Sequence, residues 1–83
     1  MNGKVKLSVK VAEKKKEELS ISTDFIRLDS ALKLCNAVES GGHAKTVIQD
    51  GEVKVNGEIC TQRGKKLHSG DSFEYMRVVY IVK

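Results

Sequence analysis

Polar and apolar residues alternate near the start of the chain, which is the period of a β-strand. Residues 4–11 carry valine or leucine at every second position and predict a first strand. Residues 19–22 alternate again and predict a second short strand, which we expect to pair with the first as an antiparallel hairpin. The residues between them, 12–18, are charged and lack an apolar stripe, so we expect solvated surface there, either a loop or one helical turn.

From Phe25 onward the apolar spacing changes to that of a helix. One short helix is predicted over roughly residues 28–37 and a second over roughly 41–50, with Ser40 as N-cap of the second and Gly51 as its stop. The helical residues expected in the core are Leu28, Ala31, Leu32, Cys35, Ala44, Val47 and Ile48.

The period returns to two after the second helix. Residues 53–55 predict a strand, and Asn56-Gly57 predicts a hairpin turn because both central residues of a type I′ turn need positive φ. Leu67 is expected to return to the core. A turn at Gly70-Asp71 then leads to short strands over 72–75 and 76–82, and the last is expected to close the sheet.

Composition narrows the possible functions. The 83 residues are enough for one small domain, and no apolar run approaches the length of a membrane span or the core of a signal peptide. Cys35 and Cys60 are 25 positions apart, which is no metal-binding spacing, so we expect reduced, buried thiols in a cytoplasmic protein. Neither histidine is flanked by a nucleophile, and no phosphate-loop or dinucleotide motif occurs, so we expect no enzyme, no cofactor and no metal.

Two segments are candidates for binding anions. Gly41 and Gly42 place bare backbone at the positive end of the second helix, beside His43 and Lys45, although Gly-Gly can also be an ordinary loop. Residues 61–69 hold three fixed cations, a histidine and no acid, although basic loops are often only solvated. The net charge of +4 is mild and does not by itself indicate nucleic acid.

Three blocks of sequence, in this order and spacing, resemble a known family: Arg27-Leu28-Asp29 with Leu32, then Ser40-Gly41-Gly42 with Ala44-Lys45, Ile48, Gly51, Val53, Val55 and Asn56-Gly57, then Arg63-Gly64-Lys65-Lys66-Leu67 with Gly70-Asp71. They resemble the S-four-like RNA-binding domain, the alpha-L motif, and look most like its small stand-alone bacterial branch, the YaaA/YbcJ-like proteins. The resemblance covers roughly residues 19–75.

The resemblance implies an α+β fold of two short helices on a small antiparallel sheet, and we expect a domain over 19–83 preceded by residues 1–18 as an additional strand or arm outside the match. The resemblance also implies a non-catalytic protein that binds structured RNA, ribosomal or transfer. We expect a monomer that recognises the phosphates and the shape of the RNA. The residues carried over as RNA contacts are Arg27, Ser40, Gly41, Gly42, His43, Lys45, Lys54, Asn56, Arg63, Lys65 and Lys66.

Some of these residues have competing structural explanations. Asn56 is explained by the turn alone. Many relatives carry an arginine where this chain has Gly41 or Gly42, so one phosphate contact is expected to be missing. Phe25, like the other aromatic residues, fits the core or a strand, which argues against base stacking. The alternative function is a protein-interaction adaptor that uses the basic face or the edge of the C-terminal strand.

Overall fold

A computed structural model of the chain describes residues 14–83. The strand predicted over residues 4–11, and therefore its pairing in a hairpin, lies outside the described residues. The short strand predicted over residues 19–22 is wrong for residues 20–22, because only Leu19 of that segment belongs to a strand. Nine elements follow one another along the described part of the chain: β1 (Lys15–Leu19), β2 (Ile26–Arg27), α1 (Leu28–Leu34), α2 (Gly41–Gln49), β3 (Lys54–Val55), β4 (Glu58–Ile59), β5 (Lys66–Leu67), β6 (Ser72–Tyr75) and β7 (Val78–Val82).

Five of the strands form one sheet in the order β1-β7-β6-β3-β4, and β2 pairs with β5 in a separate two-stranded sheet. The α+β architecture is as predicted, but the larger sheet is mixed rather than wholly antiparallel. Its parallel pair is β1 with β7, in a register that sets Lys15 opposite Val78 and Leu19 opposite Val82.

The prediction that residues 12–18 form a loop or helical turn is wrong for Lys15–Glu18, which belong to β1. These four side chains are exposed, and Leu19 alone in the strand is buried. The strand forms because its backbone bonds to β7 and to flanking groups, including Lys15 N–H to the Arg77 carbonyl at 3.1 Å. A strand at the edge of a sheet can be charged on both faces, since charge there discourages further pairing.

Both predicted helices are present, and each is shorter than expected. The first ends at Leu34, because Asn36 turns the backbone to φ 61° and Ala37 N–H bonds back to the Leu32 carbonyl at 3.0 Å. The second ends at Gln49, before Gly51 at φ 79°. Their apolar residues meet the sheet in one core with Phe73 and Val82: Leu28, Ala31, Leu32, Ala44, Val47, Ile48, Val53, Val55 and Leu67 are buried, and Cys35 is half-buried.

Two hairpins have two-residue turns. Asn56 and Gly57 have φ of 51° and 89° between paired Val55 and Glu58, as predicted. Met76 and Arg77 have φ of 53° and 65° between Tyr75 and Val78, so the strand predicted over residues 76–82 begins only at Val78.

The expectation that the C-terminal strand offers an edge to a partner is wrong. Strand β7 lies between β1 and β6, so both of its sides are paired within the chain. The adaptor function thereby loses the edge-to-edge pairing on which part of it depended.

Candidate nucleic-acid interface

The basic segment around Gly64 is fastened to the first turn of α1. Backbone N–H groups of Leu28 and Asp29 donate to the carbonyls of Lys65 and Arg63, at 2.8 and 3.2 Å. The first N–H groups of a helix have no partner within the helix, and here the loop supplies those partners. The start of α1 is therefore used internally, and the backbone of the loop is held in place.

Arg27 lies against this loop. Strand pairing sets Arg27 opposite Lys66, and a Cβ added to Gly64 would lie 3.7 Å from Nη2 of Arg27. The guanidinium also donates to Oδ2 of Asp29 at 3.1 Å. Four of the predicted contacts, Arg27, Arg63, Lys65 and Lys66, are thus gathered around the start of α1, and all four are exposed.

Charge is little neutralised within this group. Arg27 has Asp29 as a partner, whereas Arg63, Lys65 and Lys66 have no carboxylate within 4.0 Å among residues 14–83. Solvated cations of this kind attract phosphates without first breaking an internal ion pair.

The start of α2 is built as predicted. Ser40 is the N-cap, and its Oγ accepts a hydrogen bond from His43 N–H at 3.1 Å. His43 completes a reciprocal cap, because its Nδ1 accepts from Glu39 N–H at 3.4 Å. The N–H groups of Gly41 and Gly42 make no hydrogen bond to the described part of the chain, so they remain available to an external acceptor.

No packing constraint explains the two glycines. Neither has positive φ, and a Cβ on either would have its nearest neighbour 3.9 Å away, which is ordinary contact. For Gly41 that neighbour is Nζ of Lys33, so a lysine ammonium lies beside the free N–H groups. A backbone without side chains, next to a cation and at the positive end of a helix, has the chemistry of a phosphate site.

Helix α1 connects the two candidate regions. Arg27 precedes its first residue and lies against the 63–66 loop, while Lys33 in its last turn lies beside the start of α2. At 1.5 Å per residue these two positions are about 9 Å apart along the helix axis.

Two further predicted contacts, Lys45 and Lys54, differ in their exposure and in the charges around them. Lys45 is exposed on α2 and has no ion pair among the described residues. Lys54 is half-buried on β3, in register with Glu74, which pairs with Lys14 at 3.1 Å. Neither lysine has an ion pair within residues 14–83, and they differ in that Lys54 is the less exposed of the two.

Asn56 is committed to the fold through its side chain. Its Nδ2 donates to Oδ1 of Asp71 at 3.2 Å, and its Oδ1 accepts from Ser72 N–H at 3.0 Å. Asn56 and Lys65 both line a cavity of about 370 Å³ that opens beside the β3–β4 hairpin. Contact of Asn56 with RNA stays a prediction, whereas its hydrogen bonds to Asp71 and Ser72 show its structural role.

Two residues outside the predicted set belong to this surface. Lys33, in the last turn of α1, lies beside the start of α2. The expectation that Phe25 lies in the core or in a strand is wrong, because the residue is 38% exposed and stands just before β2. Continued back by one residue, the alternation of β2 sets Phe25 on the side of exposed Arg27, opposite the half-buried Ile26, and that pattern is the signal that could have identified it.

The described residues contain no helix long and apolar enough to cross a membrane. Within the same residues no cluster of histidine, cysteine, aspartate and glutamate is arranged to hold a metal ion.

Comparison with known proteins gives two matches. The S4 domain family matches residues 19–83. The "Probable ribosome maturation protein RlbA" of Bacillus subtilis (strain 168) is 45% identical over 56 residues, which are 68% of this chain and 79% of that protein. The family expected from the three sequence blocks is thereby confirmed.

Proposed function

Because the chain belongs to the S4 domain family, we propose that it is a non-catalytic RNA-binding protein that docks on structured ribosomal RNA. The family supports binding to RNA, and the name of the Bacillus subtilis relative supports association with the ribosome. Recognition is of phosphates and RNA shape, through the two regions joined by α1.

The observation that carries this proposal is the loop over residues 63–66. Its carbonyls are bonded to α1, so its backbone is fixed, while Arg63, Lys65 and Lys66 extend from it without ion pairs among the described residues. A preorganised group of cations loses less conformational entropy on binding than the same cations on a free loop. The loop therefore provides most of the attraction, and the start of α2 fixes the position of the RNA.

The experiment is a salt titration of binding to ribosomal RNA freed of protein. Each neutralised phosphate releases counterions, so log K falls linearly with log salt by about 0.7–0.9 per contact. The double variant Lys65→Ala/Lys66→Ala should flatten that slope by between about one and two units.

Lys15→Ala/Lys16→Ala is the matched control. It removes the same charge from exposed positions on β1, outside the proposed contacts. We expect its slope to stay much closer to that of the unchanged protein. An identical slope for Lys65→Ala/Lys66→Ala, in a protein that melts at the normal temperature, would remove the loop from the interface. Absence of salt-dependent binding by the unchanged protein would overturn the proposal itself.

The adaptor alternative predicts a different outcome in cells. Affinity capture before and after ribonuclease treatment separates the two functions, because partners bridged by RNA are lost on digestion. Protein partners that survive digestion and depend on Lys65 and Lys66 would assign the basic face to a protein instead.

A further inference from the structure

We infer that Phe25 is a stacking platform for one unpaired base of the bound RNA. The inference rests on the proposed function and extends it, because the contacts proposed above involve only phosphates and RNA shape. It assigns to the same surface a further ligand group, the face of a nucleobase.

The exposure of Phe25 is not explained by the core. The residue is 38% exposed and directly precedes the two-stranded sheet, while the adjacent Ile26 packs against the core cluster. Proteins that bind bases without reading their sequence usually hold them on exposed aromatic rings within a positively charged binding surface, since every base has a π-face.

Two cationic or ionisable side chains surround the ring. Nζ of Lys66 lies 4.8 Å from the centroid of Phe25, and the His68 ring lies 6.1 Å away, tilted by 53°. Lys66 is therefore positioned to hold the ring by a cation–π contact and to meet the phosphate of a nucleotide whose base covers Phe25. The His68 ring is tilted rather than stacked, so it borders the ring instead of covering it.

The backbone around the ring is also fixed. Thr23 Oγ1 donates to the carbonyl of Phe25 at 2.8 Å, and the next two residues pair with Leu67 and Lys66. Because the backbone around Phe25 is already fixed, the residue loses little conformational freedom when a base stacks on its ring. Arg27 follows two residues later and adds a second exposed cation to this part of the surface.

The test compares two RNA stem-loops that differ only in the bases of the loop. One has unpaired adenosines, and the other has abasic nucleotides with the same phosphates. We expect the unchanged protein to bind the adenosine loop about tenfold more tightly, a ratio within the range for stacking one base on an aromatic side chain. Phe25→Leu should bind both loops alike, and Phe25→Tyr should keep the preference.

Phe25→Trp adds a direct reading, because the chain contains no tryptophan. The single indole should be quenched by the adenosine loop and little affected by the abasic loop. Equal binding of the two loops by the unchanged protein, with a normal salt slope, would overturn the platform and leave the proposed function standing. Failure to bind ribosomal RNA at low salt would overturn both, and an adenosine preference that persists in a folded Phe25→Leu protein would overturn the platform alone.

Discussion

Asn56 and Asp71 connect two turns that are 15 residues apart in the sequence, through a hydrogen bond of 3.2 Å from Nδ2 to Oδ1. Asn56 stands at the first position of the β3–β4 turn with φ 51°, a conformation that asparagine tolerates better than most residues. Asp71 in turn accepts from His68 N–H at 2.7 Å. One side chain thereby orders both the hairpin and the turn that leads into β6.

Substitution of Asn56 separates its backbone role from its side-chain role. Asn56→Gly keeps the positive φ and loses the bonds to Asp71 and Ser72, for which we expect a cost of about 1 kcal/mol in the free energy of unfolding. Asn56→Ala loses the bonds and strains the turn, so we expect about 2 kcal/mol. Urea unfolding measures both. Equal costs for the two variants would show that the turn does not require the left-handed conformation.

Acid should weaken the fold through Asp71. The hydrogen bond from His68 N–H is the main cause that holds the pKa of this carboxyl below its ordinary value, and Asn56, His68 and Lys65 act in the same direction. A lowered folded-state pKa means that the carboxylate adds stability above the unfolded-state pKa of about 3.9, and that this stability is lost as the pH falls below that value.

Asp71→Asn keeps an acceptor and removes the titration. We expect it to be less stable than the unchanged protein at neutral pH, with the difference shrinking as the pH falls below about 4. Thermal unfolding across that range measures the difference. A difference that stays constant with pH would assign the role of Asp71 to its shape alone.

The second two-residue turn is built from residues poorly suited to it. Met76 has φ 53° and is 71% exposed, in a turn of the type that favours asparagine and glycine. Met76→Asn should therefore stabilise the protein by about 0.5–1 kcal/mol, because the left-handed conformation costs less. Met76→Val, branched at Cβ, should destabilise it. An unchanged melting temperature for both variants would show that the left-handed conformation at Met76 does not strain the protein.

Residue type decides which of the two turns could be predicted from the sequence. Asn56-Gly57 marks a hairpin because its residue types match the backbone that the turn demands. Met76-Arg77 adopts the same backbone without such residues, so pairing on either side imposes the turn and local sequence gives no sign of it. Both helices were predictable since Leu28, Leu32, Ala44 and Ile48 repeat at helical spacing and are fully buried.

Strand β1 was not predictable for a related reason. Lys15–Glu18 are exposed on both faces of an edge strand, so no alternation of hydrophobicity marks them, and their strand depends on a partner more than 60 residues later. The candidate contacts could be predicted as residue types in a motif. Their grouping could not, because the hydrogen bonds from α1 to the carbonyls of Arg63 and Lys65 join distant segments.

The glycines at the start of α2 provide a test in which stability and binding should change in opposite directions. Gly42 is helical, and a Cβ there would have its nearest contact 3.9 Å away, at Ser40 Oγ, so Gly42→Ala should raise the free energy of unfolding by up to about 1 kcal/mol. The same methyl group would stand over the free N–H groups, so RNA affinity should fall. Gln49→Ala, in the last turn of the same helix, is the matched control and should leave RNA affinity unchanged. Urea unfolding and RNA titration of the three proteins measure both quantities, and a stabilised Gly42→Ala protein with undiminished affinity would show that no phosphate approaches this backbone.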